Sequence, residues 1–391
     1  MHILMMIHRL ADASPYCFFV HEQARALTVR GHRVDVIAPV PIPPMMDRTR
    51  PVWAKVVAGT PKSQDLDGVH IEYPRCPGLG DAGERLLGGC PYVWGALPVA
   101  KRLHAAAPFD LVHAHMIDRD GHAGMLTARA LKRPFAVTAH GTDVLRYFRP
   151  GVTPVRRNIR TVREADALMA VSGMLMDRLR QYRPENGITE IIPNGIDLSL
   201  LPDVSREPGR ILSVGTLTRR KCMDTTIEAF AGIADHFPHA SLRIAGIGDQ
   251  EAALRAQAEK FGLSGRVHFL GGLPHEAVME EMARADVFVL PSWGEGFGIV
   301  YIEAMAAGCV TIGSTGEGIA GTIQDGENGF LIPAGDAAAV QQVLNRALAN
   351  PQQMNGIRER AETTARQMTW ARNALATEQV YERMLRRDSR Q

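Results

Sequence analysis

The segment of residues 285–308 constrains the fold of this chain more than any other. Its first part, Ala285–Leu290, is a short apolar run that ends at Pro291, which predicts a buried parallel strand. A loop with three glycines follows, and apolar residues then recur at helical spacing over Ile299–Ala307 until Gly308 ends the helix. A strand, a glycine loop and a helix in this order predict an α/β domain whose helix N-terminus offers N–H groups to an anion.

Two glutamates lie in this segment, Glu295 in the loop and Glu303 in the helix. A carboxylate beside an anion site is suited to accept hydrogen bonds from hydroxyl groups, such as those of a ribose or a hexose. A phosphorylated sugar would satisfy both features. In the alternative interpretation Glu303 is an exposed helix residue and the glycines only form a tight turn, since such loops are common in doubly wound proteins.

Strands and helices alternate along the rest of the chain, which predicts two Rossmann-like parallel sheets. The first sheet and its helices are predicted at Ile3–Ile7, Phe18–Arg30 (helix), Arg33–Ala38, Leu111–Ala114, residues 121–131 (helix), Phe135–Thr138 and Ala167–Val171. The second sheet is predicted at Ile211–Val214, Ser241–Ala245, Val267–Leu270, Val287–Leu290 and Val310–Gly313. Residues 184–194 and 202–208 are rich in proline, glycine and polar residues and predict a linker, and residues 355–390 predict a charged terminal helix.

Five segments of the chain carry a resemblance to a known family. They are Glu295 with Glu303-Ala304-Met305-Ala306-Ala307-Gly308, Ala139-His140-Gly141-Thr142-Asp143, Ile192-Pro193-Asn194-Gly195-Ile196-Asp197, Val214-Gly215-Thr216-Leu217 with Lys221, and Asp325-Gly326-Glu327-Asn328-Gly329-Phe330-Leu331. Their order resembles that of the retaining nucleotide-sugar glycosyltransferases of family 4, also called glycosyl transferases group 1. The resemblance covers nearly the whole chain.

The resemblance implies a GT-B architecture of class α/β, in which two Rossmann-like doubly wound domains face each other across a cleft. The first domain, on the acceptor side, would comprise residues 1–190. A C-terminal helix at about 368–391 would cross back onto it. The second domain, residues 191–367, would bind the nucleotide sugar.

Site residues follow from the same resemblance. His140 and Glu295 would be catalytic, Glu303 would hold the ribose hydroxyls and Lys221 would balance the pyrophosphate. The donor-binding set comprises Gly215, Thr216, Lys221, Gly246, Gly248, Gly296, Phe297, Gly298, Ile299 and Glu303. The acceptor-side set comprises Tyr16, Asp143 and Arg146. For Gly246 and Gly248 a plain turn after a strand is the alternative.

Three residues depart from the family pattern, and a glycine pair before the first helix is missing. Thr216 stands where an arginine is usual, Cys222 where a glycine is usual and Val310 where a proline is usual. The nearby Arg219 and Arg220 would replace the missing charge, unless both are simply solvated. These departures leave the affinity for the donor and its identity open.

The activity that the resemblance implies is hexosyl transfer from a nucleoside diphosphate sugar to a hydroxyl acceptor with retention of anomeric configuration. A UDP-sugar is favoured and GDP-mannose is the alternative, in glycan, polysaccharide or glycolipid biosynthesis. Two other classes stay open, a GT-B nucleotide-sugar epimerase and a non-catalytic nucleotide-sugar-binding partner. An epimerase would not be expected to combine the two glutamates with Pro-Asn-Gly-x-Asp, and a non-catalytic partner would be expected to lack His140, Lys221 or a glutamate.

Composition favours a large enzyme of a reducing compartment. The five cysteines are an odd number without close pairing, which argues against a disulfide framework. No cysteine and histidine cluster has zinc spacing, so we expect neither a metal nor another cofactor. No apolar run reaches the roughly 18 residues that a spanning helix requires, and we expect a cytoplasmic protein.

Charge is distributed unevenly along the chain. Residues 1–190 carry 25 Lys and Arg against 18 Asp and Glu, and the remainder carries 19 against 24. Six arginines lie close together at positions 146, 149, 156, 157, 160 and 163. Such a patch attracts anionic lipid or an anionic acceptor, although a solvated helix face is the alternative. A peripheral contact with the inner membrane face or a lipid-linked acceptor therefore stays open, and no nucleic-acid partner is expected.

Overall fold

The structure, a computed structural model of the 391-residue chain, describes residues 1–8, 18–43, 51–79, 86–148 and 156–388. The chain divides into two compact units. The first unit comprises Met1–Gly195 together with Trp370–Gln391, and the second comprises Ile196–Thr369. Among the described residues, no helix has both the length and the apolar character needed to cross a membrane.

The first unit is built on an eight-stranded sheet with the order β10-β9-β8-β7-β1-β2-β5-β4, as far as its described residues show. The strands of this unit are β1 His2–Met6, β2 Arg33–Ile37, β3 Val40–Ile42, β4 Ser63–Leu66, β5 Val69–Glu72, β6 Arg75–Pro77, β7 Leu111–His115, β8 Phe135–Ala139, β9 Ala167–Ala170 and β10 Ile188–Ile191. All its pairs are parallel except β4 with β5, and β3 pairs separately with β6. Its central strands are buried throughout, as expected for strands covered on both faces.

Helices cover this sheet with their apolar faces. They are α1 Phe18–Val29, α2 Pro51–Gly59, α3 Cys90–Ala106, α4 Arg119–Leu131, α5 Thr142–Tyr147, α6 Arg156–Glu164 and α7 Gly173–Arg180. In α1 the buried residues are Val20, Gln23, Ala24 and Leu27, which recur at the spacing of one helical face. The prediction of a helix after the first strand is therefore confirmed.

The second unit contains a six-stranded, fully parallel sheet with the order β13-β12-β11-β14-β15-β16. The strands are β11 Arg210–Val214, β12 Ser241–Ala245, β13 Val267–Gly271, β14 Val287–Val289, β15 Val310–Ser314 and β16 Phe330–Ile332. The helices are α8 Met223–Ala231, α9 Glu251–Lys260, α10 His275–Arg284, α11 Ile299–Ala306, α12 Ala337–Ala349 and α13 Pro351–Arg366. All five strands predicted for this sheet are present within a residue or two of their predicted ends.

Each sheet has one point where the strand order reverses direction. In the first unit it lies between β1 and β7, and in the second between β11 and β14. Loops at the carboxyl ends of the two adjacent strands diverge there and leave a crevice in which open α/β sheets bind ligands. The loop with three glycines, residues 292–298, follows β14 and therefore lies at the reversal of the second sheet.

The predicted terminal helix is two helices with a break at residues 367–369. Gln367 ends the first of them in a turn, and Ile196 then donates to the carbonyl of Met368 at 2.9 Å and forms a β-bridge with Thr369. Helix α13 belongs to the second unit, and the last helix, α14 Trp370–Asp388, belongs to the first. Gln23 of α1 donates to Asn373 of α14 at 2.6 Å. The return of the C-terminal helix to the first unit is thus confirmed.

The prediction of a linker over residues 184–194 is wrong in part. Strand β10 lies inside this segment and pairs in parallel with β9, with Ile188 opposite Ala167. The Arg183 guanidinium supports this edge by donating to the carbonyls of Val162 at 2.8 Å and Ile188 at 3.1 Å. A four-residue edge strand with a polar centre carries too little apolar pattern to be recognised in sequence. Residues 202–207 have no helix or strand.

Candidate active site

Two glycine loops meet at the carboxyl end of β11 and β12. Gly215, with φ 153°, follows β11, and Gly246, with φ 145°, follows β12. A Cβ atom on Gly246 would lie 1.9 Å from the Gly215 carbonyl oxygen, and one on Gly248 would lie 2.2 Å from that of Leu217. The backbones of the two loops are therefore in direct contact, and only glycine permits this approach. Both glycines are needed for packing, whatever they contribute to nucleoside binding.

Lys221 and Glu295 form an ion pair at the reversal of the second sheet. The Lys221 Nζ lies 2.5 Å from Glu295 Oε2, and only 11% and 14% of the two side chains is exposed. Arg220 approaches the same oxygen at 3.6 Å and donates to the carbonyl of Gly294 at 2.9 Å. Of the two arginines considered as substitutes for the missing charge, Arg220 lies at this loop, whereas Arg219 is exposed. Thr216 is also exposed.

The loop between β14 and α11 is held by residues that sequence reasoning did not single out. Glu317 accepts a hydrogen bond from the Glu295 backbone N–H at 2.7 Å, and Gly318 donates to the Glu295 carbonyl at 2.9 Å. Tyr301, fully buried, donates to the carbonyl of Leu290 at 2.7 Å, and its burial raises its pKa. These bonds fix the position of Glu295 relative to the helix that follows.

Helix α11 begins directly after the glycine loop. Gly298 adopts φ 81° at the N-cap, which a residue with a Cβ would adopt only with strain. The first N–H groups of a helix lack partners within that helix. Of the predicted set, Ile299 is the first residue of α11, whereas Gly298 is its N-cap and Phe297 precedes it. The site of the second unit thus combines two cations with a helix N-terminus.

Glu303 is buried, with 7% exposed, so the alternative of an exposed helix residue is wrong. Its Oε1 lies 2.7 Å from Nε2 of His275, the first residue of α10. This contact holds one carboxylate oxygen, and the second oxygen keeps its capacity to accept hydrogen bonds. His275 had no motif to mark it in the sequence.

Cys222 stands in the position where glycine is usual, and the structure shows the physical cost of that departure. Its φ of 50° lies in the left-handed region that glycine favours. Cys222 and the three other described cysteines, Cys76, Cys90 and Cys309, are free thiols. Burial raises the pKa of Cys222 to about 11. A thiol in this state is not a nucleophile at neutral pH.

His140 follows β8 in the first unit and is held among aromatic rings. Its Nε2 lies 3.0 Å from Nδ1 of His115, the last residue of β7. The Phe19 ring lies against the imidazole, with 4.3 Å between the ring centroids. Burial and the neighbouring His115 lower the pKa of His140 well below its usual range. His140 is therefore neutral at pH 7.

Asp143 is predicted on the acceptor side, and in the structure its carboxylate holds the backbone of two neighbouring loops. Its carboxylate accepts hydrogen bonds from Gly141 N–H at 2.8 Å and Ile117 N–H at 2.9 Å, and 2% of the residue is exposed. Burial raises its pKa to about 6. Arg146 is exposed, with its guanidinium 5.4 Å from the Tyr147 ring centroid, and Tyr16 lies outside the described residues. The acceptor-side set stays a prediction.

A histidine and an aspartate at the reversal of the first sheet were missed by sequence reasoning. His8, just after β1, is hydrogen-bonded through Nδ1 to Asp120, in the first turn of α4. Arg119 Nη2 lies 3.4 Å from His8 Nε2, and a guanidinium can only donate. A single histidine after a strand has no sequence signature.

In the described ranges, no three or more His, Cys, Asp or Glu side chains are grouped so that they could hold a metal ion.

Two family models together match most of the chain. Residues 18–200 match Glycosyltransferase Family 4, and residues 203–367 match Glycosyl transferases group 1. Glycogen synthase of Mycobacterium tuberculosis H37Rv is 31% identical over 288 residues, which cover 70% of this chain and 68% of that protein. Phosphatidyl-myo-inositol mannosyltransferase of Mycolicibacterium smegmatis is 30% identical over 296 residues, which cover 72% of this chain and 73% of that protein.

Solved structures agree with the fold. Sucrose-phosphate synthase from Thermosynechococcus elongatus superposes with a TM-score of 0.77 at 22% identity, covering 98% of each chain. Anabaena HepE in complex with UDP and glucose superposes with a TM-score of 0.71 at 19% identity, covering 98% of this chain and 99% of that one. Together with the family models and the relatives above, these likenesses show that the chain belongs to the glycosyl transferases group 1, as a glycosyltransferase of the GT-B type.

Proposed function

We propose that this protein transfers a hexose from a nucleoside diphosphate sugar to a hydroxyl acceptor with retention of anomeric configuration. The observation that carries the proposal is the largely buried Lys221–Glu295 pair beside the N-terminus of α11, at the reversal of the second sheet. A cation and helix N–H groups suit a diphosphate, and carboxylates suit the hydroxyls of its two sugars. One nucleotide sugar presents all these groups.

In this proposal each side chain has a separate task. Lys221, Arg220 and the first N–H groups of α11 balance the pyrophosphate. Glu303, oriented by His275, accepts hydrogen bonds from the ribose hydroxyls. Glu295 accepts them from the hexose, and His140 of the first unit contacts the hexose as a neutral hydrogen-bond donor. Donors already aimed at the leaving diphosphate stabilise the charge that grows on it more than they stabilise the ground state.

The bond changes proposed for the transfer take place on one face of the hexose. The bond from the anomeric carbon to the diphosphate oxygen breaks and the bond to the acceptor oxygen forms on the same side. The acceptor proton passes to the departing diphosphate. This front-face route retains the anomeric configuration without a covalent intermediate on the enzyme.

A UDP-sugar is the favoured donor. Anabaena HepE was solved with UDP-glucose, and pneumococcal GtfA with UDP and GlcNAc, each sharing the fold of this chain. GDP-mannose is the alternative donor, because a relative of this chain is named as a mannosyltransferase. We also propose that no divalent cation is needed, because Lys221, Arg220 and the helix N-terminus supply positive charge at the diphosphate.

The acceptor is proposed to be a hydroxyl compound of glycan or glycolipid biosynthesis. Relatives are named for glycogen, for phosphatidyl-myo-inositol and for D-inositol 3-phosphate. The excess of basic residues in positions 1–190 supports an anionic acceptor or a peripheral contact with an anionic membrane. Part of the arginine patch is already paired, since Arg160 lies 2.7 Å from Glu164.

The test begins with thermal unfolding in the presence of UDP, GDP and ADP and of their glucose, N-acetylglucosamine, galactose, glucuronate and mannose derivatives, with and without EDTA. A ligand at 100 times its dissociation constant stabilises the folded state by about 2.7 kcal/mol. We expect one nucleotide series to stabilise the protein, EDTA to change nothing, and Lys221→Ala to abolish the shift. Lys260→Ala, at an exposed position in the last turn of α9, is the matched control.

The stereochemistry is then read by proton NMR of the product, or of the free sugar released from the donor at early times. Retention of the donor's configuration supports the proposal. No stabilisation by any nucleotide, an inverted product, or a kinetically competent glycosyl adduct trapped on Glu295 would contradict it.

A further inference from the structure

His115 lies behind His140 and is not accounted for by the roles above. It ends β7, while His140 follows β8, and these neighbouring parallel strands end at the same edge of the sheet. Its Nδ1 lies 3.0 Å from Nε2 of His140, and 1% of His115 is exposed. No ligand can reach a side chain buried in this way, so His115 acts only through His140.

The ring of His115 is held in place by a second histidine. The His113 ring lies against it, with 4.2 Å between the centroids. His113 is fixed by Tyr381 of α14, whose hydroxyl is 2.6 Å from Nδ1, and by Thr138, whose hydroxyl is 2.8 Å from Nε2. The orientation of His115 towards His140 is therefore determined by β7, β8 and α14 together.

Only one proton is shared between His115 and His140. Burial lowers the pKa of His115 to about 3 and that of His140 well below its usual range, so both rings are neutral at pH 7. A neutral imidazole carries one N–H, and the 3.0 Å contact must therefore be N–H···N. Either His115 donates and the proton of His140 lies on Nδ1, or His140 donates and the proton of His115 lies on Nε2.

The surroundings of the two rings favour the first arrangement. His115 Nε2 and His140 Nδ1 are both buried without a hydrogen-bond partner in the described structure, so either arrangement leaves one unpaired N–H in the free protein. In the second arrangement that N–H lies on His115, which is 1% exposed and out of reach of any ligand. In the first it lies on His140, which as a whole residue is half-buried at a strand end where ligands approach.

We propose that His115 is a positioning residue, which donates its Nδ1–H to His140 and so holds His140 as the tautomer with a donating Nδ1–H. That N–H is the group offered to an oxygen of the hexose or to charge developing beside it. The second statement rests on the proposed function, whereas the tautomer is a property of the free protein. A neutral donor whose direction is fixed by His115 needs no rotation of its own ring when the substrate binds.

The test combines a spectroscopic and a kinetic reading of two variants. His115→Leu removes the donor, and His115→Asn keeps an N–H close to the position of Nδ1. Two-bond proton–nitrogen spectra of protein labelled with 15N-histidine report which nitrogen is protonated, and His140→Ala assigns the signal. We expect His140 to be protonated on Nδ1 in the wild-type protein and in His115→Asn, and to become a mixture of tautomers in His115→Leu.

Turnover of the nucleotide sugar selected by the stability screen, with UDP-glucose tried first, gives the kinetic reading. In His115→Leu we expect kcat to fall roughly tenfold to hundredfold, the range seen when the partner that orients a metal-bound histidine is removed, while KM for the nucleotide sugar changes less than about twofold. His115→Asn should recover most of the rate. An unchanged His113 spectrum and an unchanged unfolding temperature show that the variants are folded.

A proton on Nε2 of His140 in the wild-type protein, the same tautomer in His115→Leu, or turnover of His115→Leu within about twofold of wild type would overturn the inference. If the wild-type protein turned over no nucleotide sugar, the proposed function would fail, and the spectra alone would decide the role of His115.

Discussion

At the scale of single residues, the site of the second unit depends on groups whose partners are far away in the chain. Lys221 and Glu295 are separated by 74 positions and form a largely buried ion pair. Removing one member of such a pair leaves the other charge buried without compensation, which costs more than the pair itself contributes. Because Glu295 is proposed to act on the hexose and Lys221 on the diphosphate, substitutions at the two positions should have different effects on turnover and on UDP affinity.

Glu295→Gln keeps the shape of the side chain and removes its charge. If Glu295 acts on the hexose, turnover should fall by on the order of a hundredfold, while UDP affinity changes by less than about tenfold. Lys221→Ala should weaken both UDP affinity and turnover, because the lysine faces the diphosphate in every state. Calorimetric titration with UDP and initial-rate kinetics measure the two effects. A Glu295→Gln protein with turnover within about twofold of wild type would show that the hexose role is wrong.

At the scale of elements, the backbones of the loops after β11 and β12 are in direct contact. Their glycines look like ordinary turn residues in the sequence, yet Gly246 leaves no room for a single carbon atom. The elements themselves were predictable because parallel buried strands are continuous apolar runs. The contact between their loops was not predictable, because it depends on the distance between two adjacent strands.

Gly246→Ala should disturb this contact specifically. A Cβ 1.9 Å from the Gly215 carbonyl oxygen forces the two loops apart, with an expected loss of about 1–3 kcal/mol in the free energy of unfolding and a marked loss of UDP affinity. Gly262→Ala is the matched control, since Gly262 also has positive φ, at 70°, but has no atom within 4 Å of the added carbon. Urea unfolding and UDP titration compare the two variants. If Gly246→Ala and Gly262→Ala lowered the free energy of unfolding and the UDP affinity equally, the close approach of the two loops would not be what Gly246 is needed for.

At the scale of the whole molecule, α14 follows the second unit in the chain and completes the core of the first. The hydroxyl of Tyr381, a fully buried residue, contacts His113. His113 begins a row of three neutral histidines, of which His113 and His115 are buried and His140 is half-buried. An unfolded chain protonates its histidines near pH 6.5, whereas these three resist protonation when folded. Their contribution to stability is complete above pH 6.5 and is lost as the pH falls towards the folded pKa values.

His115→Asn should therefore flatten the loss of stability in acid. Between about pH 6 and pH 4 the unfolded wild-type chain binds one more proton at this position than the folded protein, which corresponds to about 1.4 kcal/mol per pH unit. Asp143, whose raised pKa of about 6 acts in the opposite sense, is present in both proteins and cancels in the comparison. Urea unfolding of both proteins at pH 7, 6, 5 and 4 measures the difference. Parallel pH curves would show that His115 is not buried neutral.

The sequence alone determined the fold class, the family and the strands that surround the site. These follow from apolar runs, from glycine and proline positions and from five short motifs, all of which act over a few neighbouring residues. Only the tertiary structure decided which side chains meet: His275 with Glu303, Arg220 and Lys221 with Glu295, and His115 with His140. It also decided that β10 is a strand and that α14 belongs to the first unit. Such contacts join positions that are distant in sequence, and the protonation of a side chain depends on its burial in the folded protein. Neither the contacts nor the protonation states can therefore be predicted from the local sequence pattern.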